Sequence, residues 1–575
     1  VGKFNEAHDW ILPSAGELSP STIAKVIAER IGRFYKSPKM QERVAFIEAK
    51  ERALSGEPPK IVRTPYFCSG CPHNTSTKVP DGSRAMAGIG CHYMALWMNR
   101  STELFTQMGG EGVPWIGQAP FTDETHIFAN LGDGTYYHSG LMAIRAAVAA
   151  KVNITYKILY NDAVAMTGGQ PVEGQLTVPE ITQQVYGEGV KRIVVVTDQP
   201  DKYPLGTEFA AGVTIRHRDT LDAVQRELRD IPGCTVLVYD QTCAAEKRRR
   251  RKRGTFPDPQ KRVFINDAVC EGCGDCSVKS NCVSVEPLET EYGRKRQISQ
   301  SACNKDFSCL KGFCPSFVSV HGGSIRKVTA GRAKDAAATV ADPFANLPMP
   351  ELPALKGPYS ILVTGIGGTG VVTIGALLGM AAHLEGKGCS VLDMTGLAQK
   401  NGSVVSHIRI GDRPEDMYAT RIAAGEARAV LACDIITGVG DEQIAKMQKG
   451  TTRALVNTAL VMPADFTRKP DLVFPRGSME QEIKDAISPG DAEFLDATRL
   501  ATALMGDSIA TNLFMVGYAY QRGLIPVHEV AIMRAIELNA TAVDANKRAF
   551  QWGRLAAVDP ARVEKAAFPR ESKPS

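Results

Sequence analysis

No run of eighteen or more apolar residues occurs in the 575-residue sequence, so no segment has the length a membrane-spanning helix needs and no membrane partner is expected. The amino terminus, Val1-Gly-Lys-Phe-Asn-Glu-Ala-His-Asp9, lacks the basic stretch followed by an apolar one that marks a signal peptide. The expected location is the cytoplasm. An initial Met is missing too, which raises the expectation of a fragment or a non-standard start, with a neighbouring region absent. Charge imbalance is slight, +5 at pH 7 with 22% charged and 44% hydrophobic residues, an ordinary globular composition. No internal repeat stands out. At roughly 100 to 200 residues per domain, the chain holds about three or four domains.

What is abundant is cysteine: fourteen in all, seven of them between Cys270 and Cys314. In a reducing compartment such clustering argues for metal or iron–sulfur ligation, since disulfide frameworks belong to small secreted domains. The alternative is a set of unrelated buried thiols.

Residues 1–60 are polar and helix-like, with Ser19-Pro20-Ser21-Thr22 as a capping signal before the apolar-periodic stretch 23–31. From residue 126 the pattern becomes a strand (126–131), a Gly-rich turn, a helix (139–150) and a strand (154–160), with further β-branched runs at 192–197 and 235–239. That alternation predicts a parallel α/β domain. Seven consecutive basic residues, Lys247 to Arg253, close it. Pro343, Pro348, Pro350, Pro353 and Pro358 mark a linker over 331–357. A second α/β domain then opens with a strand (359–364), a Gly loop, a helix near 371–385 and a strand ending at Asp393.

Gly132-Asp133-Gly134 follows a strand and precedes a helix, and Asn161 ends the next strand, with 27 residues between Asp133 and Asn161. Ligands of a parallel sheet bind beyond the carboxyl ends of its strands, so both side chains emerge at one edge. Magnesium takes an octahedron of oxygens, few from protein and the rest from phosphate and water. Asp133, Asn161 and a carbonyl near Ala163 suffice. The glycines admit phosphate close to the backbone, and the following helix points its dipole at it. A lone Gly-Asp-Gly is also simply a turn; with this strand context and the Asn it resembles the magnesium–diphosphate motif of thiamine-diphosphate enzymes.

Cys68-Ser-Gly-Cys71-Pro72-His73 precedes this site, and Cys91-His92 follows with 19 residues between Cys71 and Cys91. By spacing alone the pair suits a zinc knuckle or a redox dithiol. Cys270-x2-Cys273-x2-Cys276-x5-Cys282 resembles half of a bacterial ferredoxin motif with a lengthened last gap. Cys303-x2-Asp306-x2-Cys309-x4-Cys314-Pro315 is an irregular second half, with Asp306 in a Cys position. In two-cluster ferredoxins the fourth Cys of each run ligates the other cluster. That gives Cys270, Cys273, Cys276 and Cys314 to a second cluster, and Cys282, Cys303 and Cys309 to a third. Asp306 then either supplies an oxygen ligand or leaves a three-iron cluster; a decayed motif whose thiols only pack is the alternative. Gly365-Ile-Gly367-Gly368-Thr369-Gly370, after a strand and before a helix, with Asp393 on the following strand, passes as a dinucleotide fingerprint, though such a turn serves any phosphate.

Longer stretches carry a family resemblance: residues 64–74, 105–112, 114–121, 165–171 and 550–557 resemble the fused bacterial indolepyruvate-oxidising members of the 2-oxoacid:ferredoxin oxidoreductases. It covers nearly the whole chain. It implies an α/β protein in six parts: a helical lead-in (1–60), a thiamine-diphosphate-binding parallel α/β domain (61–246), the basic run with a ferredoxin-like iron–sulfur domain (247–330), the linker (331–357), a Rossmann-like gamma-type domain (358–560) and a tail (561–575). It implies a proximal cluster on Cys68, Cys71, Cys91 and Cys243, while Cys234 reads as core. It assigns the loop Gly365 to Gly370 to the gamma-type domain, whose next segment, 399–409, packs on the thiamine site in relatives and helps hold coenzyme A; NAD binding is the lesser reading.

The implied chemistry is oxidative decarboxylation of an aryl pyruvate with thiamine diphosphate and Mg2+, coenzyme A accepting the acyl group, and electrons leaving through two or three [4Fe-4S] clusters to ferredoxin. His73 is expected near the substrate. The Glu that activates the aminopyrimidine belongs to a pyrimidine-binding domain not found here, so a partner chain or missing region must supply it, and an oligomer is expected. The basic run reads as solvated linker charge or as a docking face for acidic ferredoxin, not as a nucleic-acid site. Related enzymes for pyruvate, 2-oxoglutarate or branched-chain oxoacids are the near alternatives, and a non-catalytic electron-transfer subunit the distant one.

Overall fold

Strand β3 (Ile127–Gly132) is buried at every position and ends at the residue before Asp133. The structure, a computed structural model, describes residues 3–54, 61–174, 176–323 and 342–569. In chain order β1 is Ala85–Met86, β2 Thr102–Glu103, β4 Ile154–Tyr160, β5 Arg192–Thr197, β6 Thr214–His217 and β7 Cys234–Asp240. They form one parallel sheet in the order β2-β1-β3-β4-β7-β5-β6. Val, Ile and aromatic side chains bury both of its faces, as a parallel sheet between helices requires. The helix after Gly-Asp-Gly starts at Asp133, earlier than predicted, and passes through a π-turn (Tyr136–Gly140) before the regular stretch Leu141–Ala150. A single π-turn inside a helix is a frequent mark of a functional site.

The cysteine-rich insert pairs β8 (Lys261–Ile265) antiparallel with β11 (Phe317–His321), and the hairpin β9 (Val285–Thr290) with β10 (Gly293–Ile298) lies between them in sequence. The second sheet contains β12 (Tyr359–Ile366), β13 (Gly388–Met394), β14 (Ser403–Gly411), β15 (Ala429–Ala432), β16 (Arg453–Asn457) and β17 (Ala492–Leu495), ordered β13-β14-β12-β15-β16-β17. Antiparallel β14 stands between β12 and β13. Asp393 therefore ends a strand that does not neighbour the Gly loop's strand, and the dinucleotide arrangement is absent. Helices Thr511–Gln521 and Val543–Val558 pack with their backbones touching: a Cβ on Gly517 would strike the Phe550 carbonyl and one on Gly553 that of Phe514.

Several expected boundaries shift. The lead-in helix Pro38–Leu54 rests on the second α/β unit, through Arg43 to the Ala424 carbonyl (2.9 Å) and Lys50 to that of Met447 (2.5 Å), and helix Pro20–Ile31, capped by Ser19, joins it through Lys25 to Glu51 (2.5 Å). Of the expected linker, 331–341 lies outside the described residues, and the remainder packs Phe344, Leu347, Leu352 and Leu355 on the second core. Helix Pro560–Ala567 buries Val563 and Ala567 in that core, so the unit continues past 560; 570–575 lie outside the described residues.

The basic run is not a linker. It forms the helix Ala244–Lys252 directly after Cys243. Lys247 binds Asp198 (2.9 Å), Arg250 pairs with Asp162, Arg251 donates to the Asn304 carbonyl (2.8 Å), and Lys252 reaches Asp507 (3.4 Å). Several of these charges thus join the first domain to the insert and to the second unit, while Arg249, Lys252 and Arg253 remain exposed.

Candidate cofactor and cluster sites

Parallel register brings the predicted cation ligands together. Gly132 lies opposite Leu159, so Asp133 and Asn161 leave β3 and β4 at one edge. The Asp133 carboxylate accepts from the backbone N–H of Gly134, Asn161 and Asp162, each at 2.9 Å. Burial still raises its carboxyl to about 6, against the lowering by those donors. Asn161 Oδ1 is buried with no hydrogen-bond partner, and Ala163 is buried beside it. An orphaned amide oxygen next to a desolvated carboxylate fits an oxygen-seeking divalent cation. A Cβ on Gly134 would meet only Val164, at 3.8 Å, leaving room for a phosphate.

The thiols predicted for the proximal cluster meet at the same edge. Tyr160 lies opposite Asp240 across β4 and β7, and three residues later the Cys243 N–H donates to the Asn161 carbonyl at 2.9 Å. Cys68, Cys71, Cys91 and Cys243 line one cavity together with His73, Asn161 and Lys400. None is in a disulfide. Among the described residues no group of three or more His, Cys, Asp or Glu side chains is placed to hold a single metal ion. Burial pushes the Cys68, Cys71 and Cys91 thiols up, Cys91 to about 12, and the neighbouring thiols add to it. Thiols so buried ionise only with cationic compensation inside the ring, which iron would supply when bound. Cys234 is buried in β7, as core.

His73 is buried, with Nδ1 3.2 Å from Ser76 Oγ and its ring edge-on to His92 (5.7 Å between centroids). Burial, then the neighbouring His92, keeps it well below the ordinary imidazole range. His92, which carried no predicted role, stands closer to the cofactor cradle: its Cε1 would be 3.0 Å from a Cβ on Gly132, and its Nε2 is buried without a partner. Its only sequence signal is adjacency to Cys91. Lys400 lies in the 399–409 stretch expected near the thiamine site but carried no predicted role of its own, because it is far from the cysteines in sequence.

In the insert, Cys282, Cys303 and Cys309 line a second cavity with Gly70 and Asp306. A Cβ on Gly70 would lie 2.8 Å from that of Asp306, and the Gly70 N–H bonds Cys282. Asn304 Nδ2 donates to the Ser69 carbonyl at 2.8 Å. This set therefore lies against the proximal Cys68–Cys71 loop and takes the middle position, which corrects the expected order. Cys276 of the other set neighbours Cys309, and Cys273 is exposed. Cys276 in turn neighbours Cys270 and Cys273.

The two half-motifs share a backbone shape. Lys305 (φ 55°) and Phe307 (φ 62°) adopt the left-handed conformation at the positions where the first half has Gly272 (φ 76°) and Gly274 (φ 80°). The Lys305 N–H donates to Cys303 Sγ at 3.4 Å, as that of Gly272 does to Cys270 Sγ at 3.4 Å. Non-glycine residues at such angles cost about 1 kcal/mol each, which a loop that merely packs has no reason to keep. Asp306, however, is committed to protein partners. Arg218 Nη1 donates to its Oδ1 at 2.6 Å, Gln241 Nε2 to Oδ1 at 3.0 Å, and Ser308 Oγ to Oδ2.

The Gly365 to Gly370 loop also binds protein. The Gly367 N–H donates to the Gly402 carbonyl (2.8 Å) and its carbonyl accepts from the Asn401 N–H (3.3 Å). Asn512 Nδ2 donates to the Thr369 carbonyl at 2.5 Å. Among the described residues no helix is long and apolar enough to cross a membrane.

Two family models match the chain. "Thiamine pyrophosphate enzyme, C-terminal TPP binding domain" covers residues 88–238, and "Pyruvate ferredoxin/flavodoxin oxidoreductase" covers 360–556. The chain is 29% identical over 204 residues to indolepyruvate oxidoreductase subunit IorB of Pyrococcus horikoshii, covering 35% of this chain and 96% of that protein. To the IorB subunit of Thermococcus kodakarensis it is 28% identical over 201 residues, with 35% and 96% covered. To the IorA subunit of the same organism it is 24% identical over 328 residues, with 48% of each chain covered. The chain thus spans nearly all of these IorB relatives and about half of the IorA relative. Matches to both subunits of one kind of enzyme meet here in a single polypeptide, and the two family models together indicate similarity to the 2-oxoacid:ferredoxin oxidoreductases.

Proposed function

We propose that this chain oxidatively decarboxylates an aryl pyruvate, indolepyruvate, in the presence of coenzyme A, and passes the electrons one at a time through three iron–sulfur clusters to ferredoxin. The observation that carries the reading is the hydrogen bond from the Cys243 N–H to the Asn161 carbonyl, which joins the cation ligand to the innermost thiol set. When bound, thiamine diphosphate supplies the carbanion chemistry that opens the 2-oxoacid and retains its electrons on loss of carbon dioxide. Asp133, Asn161 and the Ala163 carbonyl hold its magnesium. Gly132 and Gly134 leave space for the diphosphate. His73 and His92, both held below the ordinary imidazole range by burial, stand beside the cradle where they can orient groups of the substrate.

Electrons leave through Cys68, Cys71, Cys91 and Cys243, then the Cys282, Cys303 and Cys309 set, then the outer set at the exposed Cys273. With Asp306 held by Arg218, the middle cluster has three thiolates and an open fourth corner, and a three-iron form suits it. A pyrimidine-binding region, on another chain or another part of the same protein, completes the catalytic site within an oligomer. The test is ferredoxin reduction with a panel of 2-oxoacids, thiamine diphosphate, magnesium and coenzyme A, with that region present. Preference for indolepyruvate supports the proposal. Preference for pyruvate, 2-oxoglutarate or a branched-chain oxoacid changes the substrate, and no turnover with any of them leaves an electron-transfer subunit.

A further inference from the structure

Lys400 comes from the second α/β unit, in the stretch matched by the pyruvate ferredoxin/flavodoxin oxidoreductase family, yet it lines the cavity formed by the four thiols of the first. It is 8% exposed. Its neighbours hold it there by backbone geometry. The Gly365 to Gly370 turn binds Asn401 and Gly402 through Gly367. Asn401, in the left-handed conformation (φ 60°), donates from Nδ2 to the carbonyls of Tyr66 and Phe67, each at 3.2 Å. The Tyr66 N–H donates to the Lys400 carbonyl at 2.7 Å. Cys68 follows immediately. The glycine turn that resembles a nucleotide site thus acts as a clamp that presses one lysine against the thiol ring.

A buried ammonium is costly unless a negative charge faces it. The groups that face Lys400 across that cavity are the four cysteine sulfurs, which carry negative charge once they ligate a cluster. We infer that Lys400 is a positioning residue for electron transfer: its fixed positive charge, delivered across the junction of the two units, raises the reduction potential of the proximal cluster so that it accepts electrons from the adjacent cofactor site. A cluster becomes more negative on reduction, so a nearby cation favours the reduced form, and the low dielectric of a buried site makes the effect large. The ring is composite, and the second unit sets its potential.

This inference rests on the reading that the four thiols hold a cluster; iron and sulfide counts on the parent protein test that reading separately. The experiment is a redox titration followed by electron paramagnetic resonance, on the anaerobically purified protein and its Lys400→Met and Lys400→Arg variants. Lys400→Met is expected to lower the reduced-to-oxidised ratio of the proximal cluster about tenfold at a fixed potential, a downward shift of about 59 mV for one electron. Lys400→Arg is expected to stay within about twofold of the parent, because the charge is kept. Loss of the cluster from Lys400→Met but not from Lys400→Arg also supports the role of the charge. The inference is overturned if Lys400→Met keeps the parent's potential, or if both variants lose the cluster alike, since the lysine would then serve only packing.

Discussion

Arg218 Nη1 lies 2.6 Å from Asp306 Oδ1, and Arg218 Nη2 donates to the Asp306 backbone carbonyl at 3.1 Å. A residue in a cysteine position is thereby tied to the first α/β domain. Both partners are largely buried, so the pair also pins the insert to that domain. If the middle cluster lacks its fourth thiolate, Asp306→Cys restores it. The count should rise from about eleven to about twelve iron atoms per chain, and a three-iron signal in the oxidised protein should disappear. An unchanged count with an unchanged spectrum would show that the parent cluster already has four irons.

Thiamine-diphosphate binding should depend on Asp133 and Asn161 individually. Asp133→Ala and Asn161→Ala each remove one oxygen from a cation that takes few from protein, and should weaken magnesium-dependent cofactor binding by about 100-fold. Calorimetric titration checks this, with iron content as the control. Parent-like affinity in either variant would remove that residue from the site.

Arg63 and Asp434 form an ion pair buried on both sides, 3% and 2% exposed, that ties the segment before Cys68 to the second unit. Arg63 also donates to the Val461 (2.5 Å) and Met462 (3.0 Å) carbonyls. Arg63→Met leaves Asp434 buried without its counter-charge and should cost about 3–5 kcal/mol. Adding Asp434→Asn should recover part of that loss. Denaturant unfolding of parent, single and double variants measures both, and a cost below about 1 kcal/mol for Arg63→Met would mean that the junction is held elsewhere.

Lys157, wholly buried on β4, donates to the Lys78 carbonyl at 2.9 Å, and burial lowers its pKa to about 7. In the unfolded chain the value is about 10.4. Between those limits the unfolded state binds a proton that the folded state does not, so this lysine makes stability rise with pH from about 7 to about 10; below about 7 both states are protonated and its slope vanishes. Lys157→Met should flatten the parent's rise in thermal midpoint over that window. Parallel curves for the two proteins would refute the assignment.

Much of this arrangement was legible in sequence because it is local or set by strand register. The β-branched runs at 154–160 and 192–197 are strands with the predicted limits, and parallel pairing then takes Asp133 and Asn161 to one edge. What stayed hidden depends on contacts between distant segments. Antiparallel β14 separates β12 from β13 and undoes a nucleotide fingerprint whose local spacing was sound. Lys400 reaches the thiols through a clamp that no spacing rule encodes. The basic run was misread because charge in a sequence does not reveal its partners: Asp198, Asp162 and Asp507 are scattered along the chain and meet it only after folding. The order of the two insert clusters likewise follows from where Gly70 lands.

The central claim, a thiamine-diphosphate site joined directly to the cluster chain of the same polypeptide, is tested most directly by freeze-quench electron paramagnetic resonance. The protein, with its pyrimidine-binding region, magnesium and thiamine diphosphate, is mixed anaerobically with indolepyruvate in the absence of ferredoxin. Reduced-cluster signals should appear within the first turnover, and should be missing when thiamine diphosphate is omitted or Asp133 is replaced by Ala. Clusters that dithionite reduces but indolepyruvate and the other 2-oxoacids leave oxidised, in protein shown to bind thiamine diphosphate, would contradict the account.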